Sequence, residues 1–192
     1  MQTMAFNQSI QFTQHREAIM GSQLARYFNA SLCYVDDSER RQEYDYSLYS
    51  SRIGYLYRIE QQDDYFITSM DQNLCIELFT FTKDGKKDGK LYYTKADKLC
   101  YVLNNLKKVL LLDVKIIKEF IIQLEKESLL QTYEPADHND WREKHDTNPT
   151  CSAIIPIEET LLQDPKSRVI DFDQLNISSN YDKFQFSRKD YD

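Results

Sequence analysis

Between Asp113 and Lys126 the apolar residues Val114, Ile117, Phe120, Ile121 and Leu124 recur at intervals of three and four, with Lys115, Lys118, Glu119, Glu125 and Lys126 between them. That spacing is the period of an α-helix with one oily side, and Asp113 can cap its start. The helix therefore needs a core to bury against. It leaves Lys115, Lys118, Gln123 and Lys126 on the open side, where lysines reach phosphates and a glutamine can contact a base edge. The densest apolar stretch, 109–122, is interrupted by Asp113, Lys115, Lys118 and Glu119, so it is too short and too charged to span a bilayer.

The rest of the chain can supply such a core. It has 192 residues, 41% hydrophobic and 29% charged, which suits one compact domain or two small ones closely packed. Residues 1–13 are polar and glutamine-rich and read as a loose arm. The pattern predicts a helix from about His15 to Phe28 and a short strand at Leu32–Val35, followed by an exposed polar loop over 36–43. Residues 44–70 are rich in tyrosine, with Ile53, Leu56, Ile59 and Ile67, and favour strands. Ile53–Glu60 and Tyr65–Ser69 are predicted to pair across the polar tip Gln61-Gln62-Asp63-Asp64. Leu74–Phe81 fits either a helix or a buried strand, and the alternation of Phe and Thr favours the strand, leading into a hairpin at Lys83–Lys90. Leu91-Tyr92-Tyr93 reads as a short strand. Thr94 can cap a further helix, in which Leu99, Cys100, Leu103 and Leu106 share a face. Leu129–Tyr133 and Ala153–Ile157 read as strands either side of a charged loop at 134–150. The fold class is α+β: an N-terminal helix with an aromatic-rich antiparallel sheet over 1–90, a helix pair and wing over 91–157, and an acidic tail over 158–192.

The order strand, helix, turn, helix, strand, polar loop, strand across 91–157 resembles a winged helix-turn-helix module. The phrase Leu124-Glu-Lys-Glu-Ser-Leu129-Leu130-Gln-Thr-Tyr133 is similar to the exit from a recognition helix into a wing, with Ser128 where glycine is usual. The resemblance implies a recognition helix at 113–127 used either for nucleic acid or as a protein adaptor. Charge bears on that choice. Residues 1–80 carry 11 acidic and 6 basic groups, 81–133 carry 7 and 11, and 134–192 carry 13 and 7, so the lysine-only middle is the one segment suited to a polyanion. Against this, no arginine lies between 59 and 141, and the wing carries Glu134, Asp137, Asp140, Glu143 and Asp146.

Asp84-Gly-Lys-Lys-Asp88-Gly89-Lys-Leu91 resembles a calcium loop of the EF-hand type, but Lys86 and Lys95 stand where oxygen ligands are required, so no calcium is expected, and a plain hairpin turn accounts for the same residues. No nucleophile elbow, zinc-protease, Walker or dinucleotide motif is present, and four glycines leave little for a phosphate-cradling loop. His15, His138 and His145 with Cys151 match no zinc spacing. Cys33, Cys75, Cys100 and Cys151 are too far apart for a paired motif, and without a secretory leader they read as reduced thiols of an intracellular protein, cytoplasmic or nuclear. Trp141 is either an anchor for the 134–150 loop or an exposed binding anchor. Phe184 and Phe186, spaced in the polar tail, suit a partner's groove.

These observations predict a non-enzymatic binding protein without cofactor or metal, acting as a subunit or adaptor in a protein assembly. The alternatives are a nucleic-acid-binding replication or transcription factor working through 81–133, and an acidic inhibitor or immunity protein that masks a basic partner.

Overall fold

A computed structural model describes residues 2–34, 43–52, 54–145, 148–177 and 181; for 2–12, 55 and 142–145 the description covers the backbone alone. Phe184 and Phe186 lie outside the described residues. The elements run α1 (Gln2–Tyr27), β1 (Ser31–Tyr34), β2 (Tyr46–Ser50), β3 (Gly54–Asp64), β4 (Asn73–Thr82), β5 (Gly85–Asp88), α2 (Lys90–Tyr93), β6 (Lys98–Leu103), β7 (Lys108–Asp113), α3 (Val114–Lys126), β8 (Gln131–Tyr133), α4 (His138–His145), β9 (Thr150–Pro156), α5 (Ile157–Gln163) and β10 (Arg168–Asp171). The class is α+β.

Two sheets organise the chain. One has six strands in the order β1-β2-β3-β6-β7-β10, antiparallel throughout except for the parallel pair β3/β6. The other has the order β5-β4-β9-β8 and is antiparallel. Both faces of the six-stranded sheet are buried. Cys100, Val102, Val109 and Leu111 face Met20, Leu24 and Ala25 of α1, whereas Leu99, Tyr101, Leu103, Leu110 and Leu112 face a second core shared with β4, β9, α2, α3 and α5. Gly21 lets α1 sit close to β1 and β2: a Cβ there would lie 2.9 Å from Leu32 Cδ1 and 3.3 Å from the Tyr46 ring.

This double burial explains the largest departure from the sequence reading. Residues 98–103 form a strand, not the first helix of a pair. A strand buried on both faces reads as an unbroken apolar run, and its period of two is hidden. The helix pair of a winged helix is therefore not formed, although α3 does enter a β8/β9 hairpin as a recognition helix enters its wing. Likewise, the polar tip 61–64 is not a turn. β3 runs straight through it, and residues 65–69 form no strand. Its polar side chains are taken up inside: Gln62 Nε2 donates to the Cys75 carbonyl at 2.8 Å, and Asp64 Oδ1 accepts from the Phe66 and Ile67 amides, both at 2.8 Å.

Other corrections are smaller. Residues 2–13 continue α1 rather than forming an arm, 91–93 make one helical turn rather than a strand, and the loop after β8 contains α4. The Asp84–Gly89 segment is a tight β4/β5 hairpin with Gly85 at φ +121°, not a helix-flanked calcium loop. The segment boundaries near 90 and 157 are crossed by strand pairing: β3 pairs with β6, β4 with β9, and β10 of the supposed tail with β7. The predicted α3, β1, β4 with its hairpin, β8 and β9 are all present.

Candidate functional site

The side chains of β3 alternate between the two cores. Ile59, Gln61 and Asp63 face α1, and Glu60, Gln62 and Asp64 face the other way. Glu60 is thereby carried into the interior and is 3% exposed. A buried carboxylate without a partner is costly, and here Lys90 supplies one: its ammonium contacts Glu60 Oε1, and Thr94 Oγ1 lies 3.4 Å from Oε2. Lys90 is set in place by Gly89, whose amide donates to the Leu78 carbonyl at 2.7 Å and whose Cα lies so close to β4 that a Cβ would meet Leu78 C at 2.6 Å.

Further charged groups gather around this pair. Asp45 Oδ2 accepts from the Gln61 amide at 2.7 Å, and its charge is felt by both Glu60 and Lys90. Tyr93, 45% exposed at the rim, is within electrostatic reach of Lys90, Glu60, Glu77 and Asp45. Burial pushes the Glu60 carboxyl up to about 7, opposed by Lys90 and reinforced by Asp45. Burial disfavours the Lys90 ammonium, but Glu60 and Asp45 more than offset this and raise its pKa. A carboxyl held near neutrality inside a half-open charged cluster marks a candidate site. Among the described residues, no group of three or more His, Cys, Asp or Glu is placed to hold a metal ion.

Lysines adjoin the cluster. Lys86 Nζ sits 3.4 Å over the Phe79 ring, Phe79 stacks on Tyr92 of α2 at 5.5 Å, and Lys118 Nζ lies 3.4 Å from the Thr94 carbonyl. Lys95 pairs with Glu43, and Lys87 is exposed on β5. A connected path of contacts thus runs from the β4/β5 hairpin through α2 to α3.

Of the residues singled out from sequence, Lys118 joins this surface. The buried side of α3 is Val114, Ile117, Phe120 and Ile121, and Asp113 caps the helix as predicted. Lys115 is exposed and pairs with Glu119 at 3.8 Å, Gln123 donates to Glu127 at 3.0 Å, and Lys126 is exposed on the last turn. Trp141 is half-buried on α4. His138 pairs with Glu134 at 2.8 Å, and its ring lies 4.2 Å from that of Phe81. Sequence reasoning passed over Asp45, Glu60 and Lys90. The available signal was Glu60 itself, a charge amid residues read as a strand. Among the described residues, no helix is long and apolar enough to cross a membrane. Comparison with protein families, with curated proteins and with solved structures finds no match for this chain.

Proposed function

We propose that this chain is a non-catalytic binding protein for a polynucleotide backbone, held along the surface that joins Lys86, Lys87, Lys90, Lys95 and Lys118. The observation that carries the reading is the connected path from Lys86 through Phe79 and Tyr92 to the 90–95 segment and Lys118. The ammonium groups of Lys86, Lys87 and Lys118 suit phosphates spaced along a strand, Lys90 and Lys95 are shared with Glu60 and Glu43, and the half-exposed ring of Tyr93 offers a base a surface to stack on. Charges beyond about 8 Å are largely screened at physiological salt, so the net charge of −7 bears on this surface less than the carboxylates within it, Glu60 on Lys90 and Glu43 on Lys95.

Fluorescence anisotropy with labelled single-stranded DNA, duplex DNA and RNA, across a salt series, tests the reading. Binding should weaken steeply with salt. Reversing Lys86, Lys87 and Lys118 to Glu should lower the log–log slope by about 0.9 per lost phosphate contact on duplex or about 0.7 on a single strand. Absence of affinity for all three at low salt overturns the reading and leaves a protein partner.

A further inference from the structure

A second concave site lies where the β3/β6 pairing begins. Leu56 and Tyr57 of β3, Lys98 at the start of β6, Asp113 at the end of β7 and the turn 165–168 line an open cleft of about 740 Å³, within the size range of small-molecule sites. It spans the ends of four neighbouring strands, β3, β6, β7 and β10. None of its residues belongs to the lysine surface described above.

The charges of the cleft are unevenly committed. Asp97 is bound by Arg58 through its amide at 2.7 Å, its Nε at 3.3 Å and its terminal nitrogen at 3.1 Å. Asp113 receives the Lys115 amide at 3.1 Å and the Ile116 amide at 3.4 Å on Oδ1, and Lys98 at 3.3 Å on Oδ2. Both carboxylates are thus occupied by protein groups. Of the cations, Lys98 is shared with Asp113 and lies 5.7 Å from the Tyr57 ring centroid, while Lys166 and Arg168 stand at the rim. The side chain of Lys98, 6% exposed, has three donors and a single ion-pair partner. Lys166 and Arg168 are exposed at the rim, Arg168 with its guanidinium 5.8 Å from the Phe28 ring. The Lys166 backbone amide donates to Asp164 Oδ1 at 3.0 Å. What the cleft offers a ligand is therefore two exposed cations at its rim, a buried ammonium shared with Asp113 and an aromatic wall in Tyr57.

We propose that this cleft binds a small phosphate ester of mononucleotide size, with its phosphate among Lys98, Lys166 and Arg168 and its ring against Tyr57. Three cations facing one group suit a dianionic phosphate better than a single carboxylate, and the volume exceeds what inorganic phosphate alone would fill.

Isothermal titration of the full chain with AMP, adenosine and inorganic phosphate tests this. Lys98→Met strands Asp113 and risks the fold, so the deciding variant is Lys166→Gln with Arg168→Gln at the exposed rim. AMP should saturate one site per chain, adenosine should bind at least tenfold more weakly, and the double variant should lose about tenfold in AMP affinity. Lys86→Glu with Lys87→Glu should leave AMP binding unchanged, which separates this site from the polynucleotide surface. Absence of saturation up to about 10 mM AMP, equal affinity for adenosine, or an unaffected Lys166/Arg168 double variant overturns the proposal.

Discussion

Arg16 of α1 donates to Oδ1 of Asp63 on β3 at 3.0 Å, with the guanidinium lying 3.8 Å from the ring centroid of Tyr181. Arg16 is 1% exposed. The Tyr181 hydroxyl donates to the same Asp63 oxygen at 2.8 Å, and Asn104 also contacts Arg16. Removing the cation leaves a carboxylate largely shielded from water. Arg16→Met should destabilise the fold by about 3–5 kcal/mol, and Tyr181→Phe, which deletes one hydrogen bond, by about 1–2 kcal/mol. Urea midpoints at constant slope check both values.

Glu60 makes stability depend on pH. In the folded chain its carboxyl is pushed up to about 7, against an ordinary value of 4.5. Between those values the folded state holds a proton that the unfolded state has lost, so this contribution is complete below pH 4.5 and disappears as pH rises through about 7. It amounts to at most about 3 kcal/mol at 1.36 kcal/mol per unit. Wild type should lose stability from pH 5 to 7.5 relative to Glu60→Gln; parallel urea curves at the two pH values would refute it.

Gly89 is fixed by contact rather than by dihedral. A Cβ would lie 2.6 Å from Leu78 C and 2.8 Å from both Leu78 O and Phe79 N, all backbone atoms of β4 that cannot rotate away. Gly89→Ala should cost about 1–3 kcal/mol or more and shift Lys90 off Glu60. A lower thermal midpoint with loss of the Glu60 pH dependence is the joint signature. Loss of neither would show that α2 tolerates displacement.

The two sides of α3 should respond differently. Ile117 is fully buried, and Ile117→Ala should cost about 2–5 kcal/mol. Lys126→Ala, on the exposed side, should fall within about 0.5 kcal/mol of wild type. Chemical denaturation of the two variants provides the comparison.

α3 was legible because it combines a side-chain cap at Asp113 with an apolar stripe facing one way, and both signals are local. β4 and its hairpin were legible through alternation and Gly85. β6 and β7 were not, because burial on both faces erases the alternation that marks a strand: Cys100 and Val102 point to α1, and Leu99, Tyr101 and Leu103 point away from it. The polar run 61–64 misled for a related reason. Its side chains find partners as distant in sequence as Tyr181 and Tyr101, and nothing local announces them. The candidate site was hidden similarly. Asp45, Glu60 and Lys90 become neighbours only when β3 is laid down and Gly89 closes against β4, whereas Lys118 was found because it belongs to a local pattern.

Arg16 and Tyr181 stand 165 residues apart, yet each shields the other's polar atoms. Synthesis proceeds from the amino end, so a nascent chain holds the guanidinium and its aspartate long before the tyrosine emerges. A chain that ends before residue 181 therefore lacks both the ring that lies over the Arg16 guanidinium and the hydroxyl that donates to Asp63.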